Sequence, residues 1–495
     1  MKILLAQSYF RVLDPKELER QMPYPALGAL YAAAILKNLN HEIIFFDSML
    51  SGNPDELNCK IKETKPNLLL IYDDEFNYLT KMCLSNMRDA AAGFIRTAKE
   101  LNIPSLIYSS DAADFSLAYL DAGCTAVIYG EGEITLQETI KTIEDQSFGK
   151  IKKEISGLKF LDGNKVYTTP KRKLMENIDD LPNPDYSFVD MNEYRKIWLD
   201  KHGYFSTNIS TTRGCPFRCN WCAKPLYGQT YNSRSPGKVA AEIKEIQEKY
   251  GVDHFWITDD IFGLKPNWIK EFSDELKKLN VKVPYKCLSR PDLLLRGNTI
   301  ADLEESGCRT IWIGAESGSQ KILDAMDKGT AVEQIYEASA KIHDAGMEIA
   351  FFIQFGYSGE NWKDIKLTRK MIRDCVPEDI GISVSYPLPG TVFYERVKEQ
   401  MKNKTNWRDS DDLDMMFSGT YEKAFYKILH RFVHSEYRIF KYLKHKRFDK
   451  LPKILLHAFR FVRFRLKLNK YLTQELPGML LFEETKGKEI LKSYK

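Results

Sequence analysis

Three cysteines packed into eight residues constrain this 495-residue chain more than any other feature: Arg213-Gly214-Cys215-Pro216-Phe217-Arg218-Cys219-Asn220-Trp221-Cys222, spaced C-x3-C-x2-C. Nine cysteines scattered at random would give that spacing with a probability of roughly a few per thousand. An odd number of cysteines, three of them clustered, does not describe a disulfide framework, so a reducing cytoplasm is the expected compartment. Soft sulfur donors on one tight loop select an iron–sulfur cluster or zinc. No fourth ligand stands nearby. Structural zinc wants four closed ligands, whereas a [4Fe–4S] cluster on three cysteines keeps one iron open for a bound molecule, which favours the cluster over zinc or plain structural thiols. Cys287, Cys308 and Cys375 stand singly among apolar residues and read as buried thiols.

Before this loop, residues 1–130 alternate short apolar runs with amphipathic stretches. Ile3–Ala6, Ile43–Phe46, Leu68–Tyr72, Ser105–Tyr108 and Ala126–Tyr129 read as strands, and Leu27, Leu30, Tyr31, Ala34 and Ile35 fall on one helical face. Repeated βα units build a doubly wound parallel sheet whose ligand crevice lies at the carboxyl ends of its strands. Those ends read Tyr72-Asp73-Asp74, Ser109-Ser110-Asp111-Ala112-Ala113 and Gly130-Glu131-Gly132-Glu133. Small residues there let a large flat ligand approach the backbone, or they serve simply as turns. No GxGxxG or GxxxxGK[ST] is present, which weakens dinucleotide and P-loop readings. His41, at a helix-to-strand junction, reads as a solvated turn residue.

The helical periodicity stops from Lys150 to Asp200, where Leu158–Tyr167 reads as a hairpin turning at Asp162-Gly163 and Asp180–Tyr186 as an extended linker. After the cysteines, further strand-like runs end in chemistry: Asp259 and Asp260, then Arg290, then Glu316 and Ser317, then Gln354. This repeat predicts a partial or complete (β/α) barrel with its chemistry at the strands' carboxyl ends. The expected organisation is an α/β chain with a Rossmann-like domain over 1–148, a hairpin and linker over 149–200, a barrel over 201–395 and a helical basic region over 396–495. Residues 421–470 carry 15 Lys and Arg against 3 Asp and Glu, a net +12 in a chain of net +4. Such a region either packs its aromatic stripe on the barrel, the favoured reading, or contacts an anionic membrane peripherally; no nucleic-acid module accompanies it. The longest apolar run, Ala26–Leu36, is too short to cross a bilayer, and the first ten residues lack a secretory pattern.

The spacing C-x3-C-x-aromatic-C, with Trp221 as the aromatic, resembles the radical S-adenosylmethionine (SAM) superfamily over residues 205 to about 390. The YPALGALYAAAIL helix, the Gly130-Glu131-Gly132-Glu133 run and the Asp180–Tyr186 connector resemble the cobalamin-binding domain that precedes many such domains, in the group of the anaerobic magnesium-protoporphyrin monomethyl ester oxidative cyclase and the cobalamin-dependent carbon methyltransferases. The resemblance implies that Cys215, Cys219 and Cys222 hold a [4Fe–4S] cluster whose open iron is chelated by SAM. It gives Asp259 or Asp260 to the SAM ammonium, Arg290 to its carboxylate, Glu316 to the ribose hydroxyls and Trp221 to the adenine, with Ser317 and Gln354 in the same set. Ser109, Ser110, Gly130 and Glu131 are then the cobalamin contacts. Many cobalamin proteins present a His to cobalt after their first strand; Ala6–Pro25 contains none, so the implied cobalamin has no imidazole from this domain.

The implied reaction starts with one-electron reduction of SAM, supplied through a donor such as flavodoxin or ferredoxin, and a 5′-deoxyadenosyl radical that attacks an unactivated carbon of a small molecule. C-methylation is expected ahead of oxidative cyclisation or rearrangement of a tetrapyrrole- or lipid-like substrate. A rival of another class is a non-catalytic electron carrier or sensor; a pure carrier gains nothing from an unligated iron.

Overall fold

The computed structural model describes residues 1–82, 84–223, 226–401 and 404–472, which fall into two compact units. The first holds residues 1–312 with the short segments 388–396 and 404–412; the second holds 313–387, 397–401 and 413–472.

In the first unit, seven strands form one sheet: β1 (Lys2–Ala6), β2 (Glu42–Phe45), β3 (Leu68–Tyr72), β4 (Ser105–Tyr108), β5 (Ala126–Ile128), β6 (Leu158–Asp162) and β7 (Lys165–Thr168). Their order is β2-β1-β3-β4-β5-β6-β7, with the first five parallel and the hairpin antiparallel. Runs such as Leu68–Tyr72 are apolar at every position because both faces are covered. Leu5, Leu70 and Leu106 enter one core, and Leu4, Leu69 and Ile107 the other. The winding reverses between β1 and β3, the place where open α/β sheets hold ligands. There Asp73 accepts from the Ser8 amide at 2.7 Å and the Ser8 hydroxyl at 2.9 Å, which ties the two loops together.

After the Asp180–Tyr186 segment, and running from the region read as hairpin and linker (149–200) to His202, lies a 12-residue helix, Met191–His202. Asp190 caps it, accepting from the amides of Asn192 and Glu193 at 3.0 and 3.2 Å, and Met191, Tyr194 and Trp198 form its buried face. The two prolines upstream and the charged exposed face hid this spacing. His41 also differs from expectation: its side chain is only 5% exposed.

The second set of strands starts with β8 (Ser206–Ile209), a short ribbon of β9 (Thr212–Arg213) and β10 (Asn232–Ser233), then β11 (His254–Ile257), β12 (Tyr285–Ser289), β13 (Cys308–Glu316), β14 (Glu348–Phe355) and β15 (Asp379–Val384). The order is β8-β11-β12-β13 in the first unit; β13 runs on into the second, where it is followed by β14 and β15. The β8–β11, β11–β12 and β14–β15 pairings are parallel, with helices between strands, so a partial (β/α) barrel forms among the described residues. Cys287 and Cys308 are buried on neighbouring strands with sulfurs 3.9 Å apart, and Cys375 is buried too.

The basic region is a hairpin of two helices, Lys423–Lys444 and Leu451–Leu472. The first packs its aromatic residues on the barrel, with Phe425 edge-on to Trp362 and the Tyr437 hydroxyl donating to the Pro377 carbonyl at 3.2 Å, and Phe461 of the second stacks on Phe432 of the first at 4.7 Å. Among the described residues no helix is long and apolar enough to cross a membrane.

Trp198 is fully buried, donates from Nε1 to the Pro23 carbonyl at 2.8 Å and packs against Tyr24. Trp198→Ala is expected to lower stability by about 3–5 kcal/mol in urea unfolding; a loss below about 1 kcal/mol would show that this helix is not part of the core.

Candidate functional site

The cysteine loop is fixed at its root before the first sulfur is reached. Asp259, at the end of β11, is 1% exposed and accepts from the amides of Thr211 and Thr212 at 2.7 and 3.0 Å and from the Thr211 hydroxyl. Burial pushes its pKa up to about 6 against those bonds. Next, Arg213 is buried with Nη1 2.7 Å from Glu131 and Nη2 on Glu133, among the rings of Tyr31, Phe76 and Tyr227. Burial alone would lower the Arg213 pKa, but Glu133 and its neighbours hold it well above the ordinary value. Gly214 then turns with φ +78°, and a Cβ there would lie 2.5 Å from the Thr230 carbonyl oxygen, so only glycine fits.

Cys215 and Cys219 follow half-buried, and Cys222 is exposed. The Arg290 guanidinium lies 3.8 Å from the Phe217 ring centroid, turns Nη1 toward the Cys219 sulfur at 3.9 Å and holds Asp292 through Nε at 2.8 Å. Asp260 pairs with Lys81 at 2.7 Å, and Cys222 is among the groups that raise the Lys81 pKa. Trp221 is half-buried, and the Asn220 carbonyl accepts from the Phe393 amide at 2.9 Å. Among the described residues no three His, Cys, Asp or Glu side chains converge to hold a single ion.

In the second unit the candidates sit at the ends of β13 and β14. Glu316 has left-handed backbone, φ +53°, and its buried carboxylate pairs with Lys328 at 2.9 Å. A Cβ on Gly314 would lie 2.5 Å from that ammonium, so Gly314 makes room for the pair. The Ser317 hydroxyl is 3.1 Å from that of Thr368, and Gln354 accepts from the Ser385 hydroxyl at 3.2 Å. A left-handed non-glycine residue that carries a buried ion pair is a strained, over-determined position of the kind found at ligand sites.

At the carboxyl ends of the first sheet, several residues have structural employment. Ser109 accepts from the amides of Asp111 and Ala112 at 3.2 and 3.5 Å and caps the short helix Ser110–Asp114, while Asp74 accepts from Gly28 at 3.0 Å at the start of the helix Leu27–Asn38. Gly130 has φ +79°, and Glu131 also accepts from the Met175 amide at 2.6 Å. Ser110 is buried beside them. Glu75 accepts from the Tyr227 hydroxyl at 3.0 Å, while burial, reinforced by Glu133, pushes its pKa up to about 8. One guanidinium cannot balance three carboxylates, so Glu75 keeps its proton. Buried without a hydrogen-bond partner in this region are Gln7 Oε1, Glu75 Oε2, Glu133 Oε2 and the Tyr72 and Tyr108 hydroxyls.

Sequence reasoning passed over Arg213, Glu75, Tyr227, Lys81 and Lys328. Arg213 had one available signal, its place next to Gly214-Cys215. Lys328 had none.

Residues 209–372 match the family model described as the Radical SAM superfamily. Among curated relatives, an uncharacterized methyltransferase of Pyrococcus horikoshii is 27% identical over 58% of this chain and 61% of its own length. A bacteriochlorophyllide d C-12(1)-methyltransferase of Chlorobaculum tepidum is 28% identical over 64% and 65%. The anaerobic magnesium-protoporphyrin IX monomethyl ester cyclase of Cereibacter sphaeroides is 26% identical over 56% of this chain and 45% of its own, so the chain spans under two thirds of these relatives. Two solved structures share the fold: the methyltransferase TsrM of Kitasatospora setae, with cobalamin and a [4Fe–4S] cluster bound (TM-score 0.64, 17% identity, 81% of this chain and 75% of that one), and OxsB with aqua-cobalamin and SAM bound (TM-score 0.71, 15% identity, 94% and 72%).

The proton on Glu75 has a measurable consequence. The unfolded chain ionises this group near pH 4.5, but the folded chain holds the proton to about pH 8. Folding therefore takes up a proton across that window, and the stability gained below pH 4.5 is lost as pH rises through it. Glu75→Gln, which mimics the protonated acid, is expected to lose less: its stability relative to wild type should rise by about 1 kcal/mol per pH unit between pH 5.5 and 7.5 in urea unfolding. A difference that is flat with pH would mean Glu75 is ionised in the fold.

Proposed function

We propose that this chain, which carries a radical SAM domain over residues 209–372, is a cobalamin-dependent enzyme that methylates an unactivated carbon of a small molecule. The observation that carries the reading is the C-x3-C-x2-C loop, rooted by a buried guanidinium and capped by Arg290 on Phe217. Cys215, Cys219 and Cys222 would hold the cluster. Arg290, with Nη1 3.9 Å from the Cys219 sulfur, would offset part of the negative charge of a thiolate-bound cubane. When bound, the cluster, SAM and cobalamin together supply radical hydrogen abstraction and a transferable methyl group.

The chain's own part is to orient and to exclude water. Both oxygens of Asp259 are engaged by Thr211 and Thr212, so Asp260, at the rim, is the better acceptor for the SAM ammonium. Arg290 suits a carboxylate and Trp221 an adenine face. In the second unit, the Glu316 carboxylate, held by Lys328 at 2.9 Å, offers an acceptor for hydroxyls, with Ser317 next in sequence and Gln354 on the neighbouring strand. For cobalamin, the five partnerless buried oxygens at the sheet's carboxyl ends suit a ligand rimmed with amide donors, which is the periphery of a corrin. Gly130, Ser109 and Ser110 line the same ends, and Glu131 contributes by holding Arg213. The absence of His from residues 6–25 leaves the cobalt without an imidazole from that loop.

Methyl transfer is favoured by the relatives that are named methyltransferases, among them the hopanoid C-3 methylase of Methylococcus capsulatus. The match to the magnesium-protoporphyrin cyclase supports a second reading, oxidative cyclisation. An external one-electron donor such as flavodoxin or ferredoxin belongs to both.

Anaerobic reconstitution tests the reading. Wild type should retain iron and sulfide, and with methyl-labelled SAM the label should enter the product; an unlabelled product indicates cyclisation. Cys219→Ala should lose the cluster absorbance and all SAM turnover without change in the far-ultraviolet circular dichroism. Normal turnover by that variant, or stoichiometric zinc in place of iron, would refute the assignment.

A further inference from the structure

The last described helix, Leu451–Leu472, is apolar on two sides. One side is used: Ile454, His457 and Leu468 are buried, and Phe461 stacks on Phe432 of the preceding helix. The other side is exposed among the described residues. Leu451, Leu455, Phe459, Val462 and Leu466 recur at steps of four, four, three and four residues, and each is between 52% and 65% exposed. At about 100° per residue these five fall within a sector of about 80°, one continuous stripe along a helix roughly 30 Å long. Scattered surface leucines need no account; an aligned row does.

The charges around the stripe select what covers it. Between Leu451 and Leu472 there are six Lys and Arg and no Asp or Glu. Lys453, Arg460, Arg463, Lys467 and Lys470 are exposed and project from the sector beside the stripe, where long side chains can carry their charges outward while the leucines face down. Docking of a second copy through the same face would bring these cations against each other. No described helix can cross a bilayer. A moderately apolar stripe bordered by cations, on a helix too charged to insert across the membrane, is the arrangement of an in-plane interfacial helix.

We propose that Leu451–Leu472 docks this chain peripherally on an anionic lipid surface, with Leu455, Phe459, Val462 and Leu466 entering the headgroup boundary and the flanking Lys and Arg contacting lipid phosphates. The surface is independent of the cofactors, so the chain as purified suffices for the test. The full chain is mixed with vesicles of phosphatidylcholine alone, or with about one third phosphatidylglycerol, and floated on a density gradient. It should float with the anionic vesicles and at least tenfold less with the neutral ones, and raising salt should release it. Phe459→Asp together with Val462→Asp should abolish flotation while leaving the thermal unfolding midpoint unchanged, since both side chains face solvent. Arg460→Glu with Arg463→Glu should do the same with the stripe intact. A chain that stays in the soluble fraction with both vesicles overturns the proposal, whether residues 473–495 or nothing covers the face. So does equal flotation with neutral lipid. A dimer in light scattering that Phe459→Asp with Val462→Asp dissociates assigns the stripe to a second copy and overturns it as well.

Discussion

A single buried cation organises the carboxyl end of the first sheet. Moving a guanidinium out of water costs several kcal/mol even after relaxation, so Arg213 can be buried only because Glu131 and Glu133 meet it and three aromatic faces surround it. Such a pair contributes little net stability compared with an apolar replacement, but removal of one partner leaves an uncompensated charge and costs about 3–5 kcal/mol. Its value is in specifying one arrangement. Arg213 stands two residues before Cys215, so whatever fixes Arg213 fixes where the sulfur loop begins.

The same arithmetic of charge runs outward from that point. Arg213 balances two carboxylates; a third, Glu75, is left protonated, and its Oε2 lies where a Cβ on Gly28 would meet it. Farther along the loop, Arg290 brings a second cation to Cys219, and Lys81 with Asp260 brings a balanced pair near Cys222.

Short-range features were legible in the sequence and long-range pairings were not. The C-x3-C-x2-C spacing is covalent, and strands such as Leu68–Tyr72 announce themselves because burial on both faces demands apolar residues at every position. The partners of Arg213 lie about 80 residues upstream, and only the fold brings them together. Glu316 was marked as a strand-end acid, but its Lys328 sits across a short helix and its left-handed backbone has no sequence signature in a non-glycine residue. The helix Met191–His202 was lost because only three of its twelve residues, Met191, Tyr194 and Trp198, are buried, and packing of these three and not propensity holds it.

The Gly130-Glu131-Gly132-Glu133 run has a structural part that its composition alone did not show. Its composition suggested direct contact with a flat ligand, yet each residue has a local reason to be what it is. Gly130 turns through φ +79°; a Cβ on Gly132 would lie 2.7 Å from the Tyr108 ring and 2.8 Å from the Tyr72 hydroxyl; Glu131 and Glu133 hold Arg213. The run is therefore the clasp by which the carboxyl end of the first sheet grips the root of the cysteine loop. If a corrin binds at that end, it meets the clasp through Tyr72, Tyr108 and Glu75, the groups that still have unmet hydrogen-bonding capacity. The glycines and glutamates would then serve the ligand indirectly, by setting the distance between the cofactor's floor and the sulfur loop.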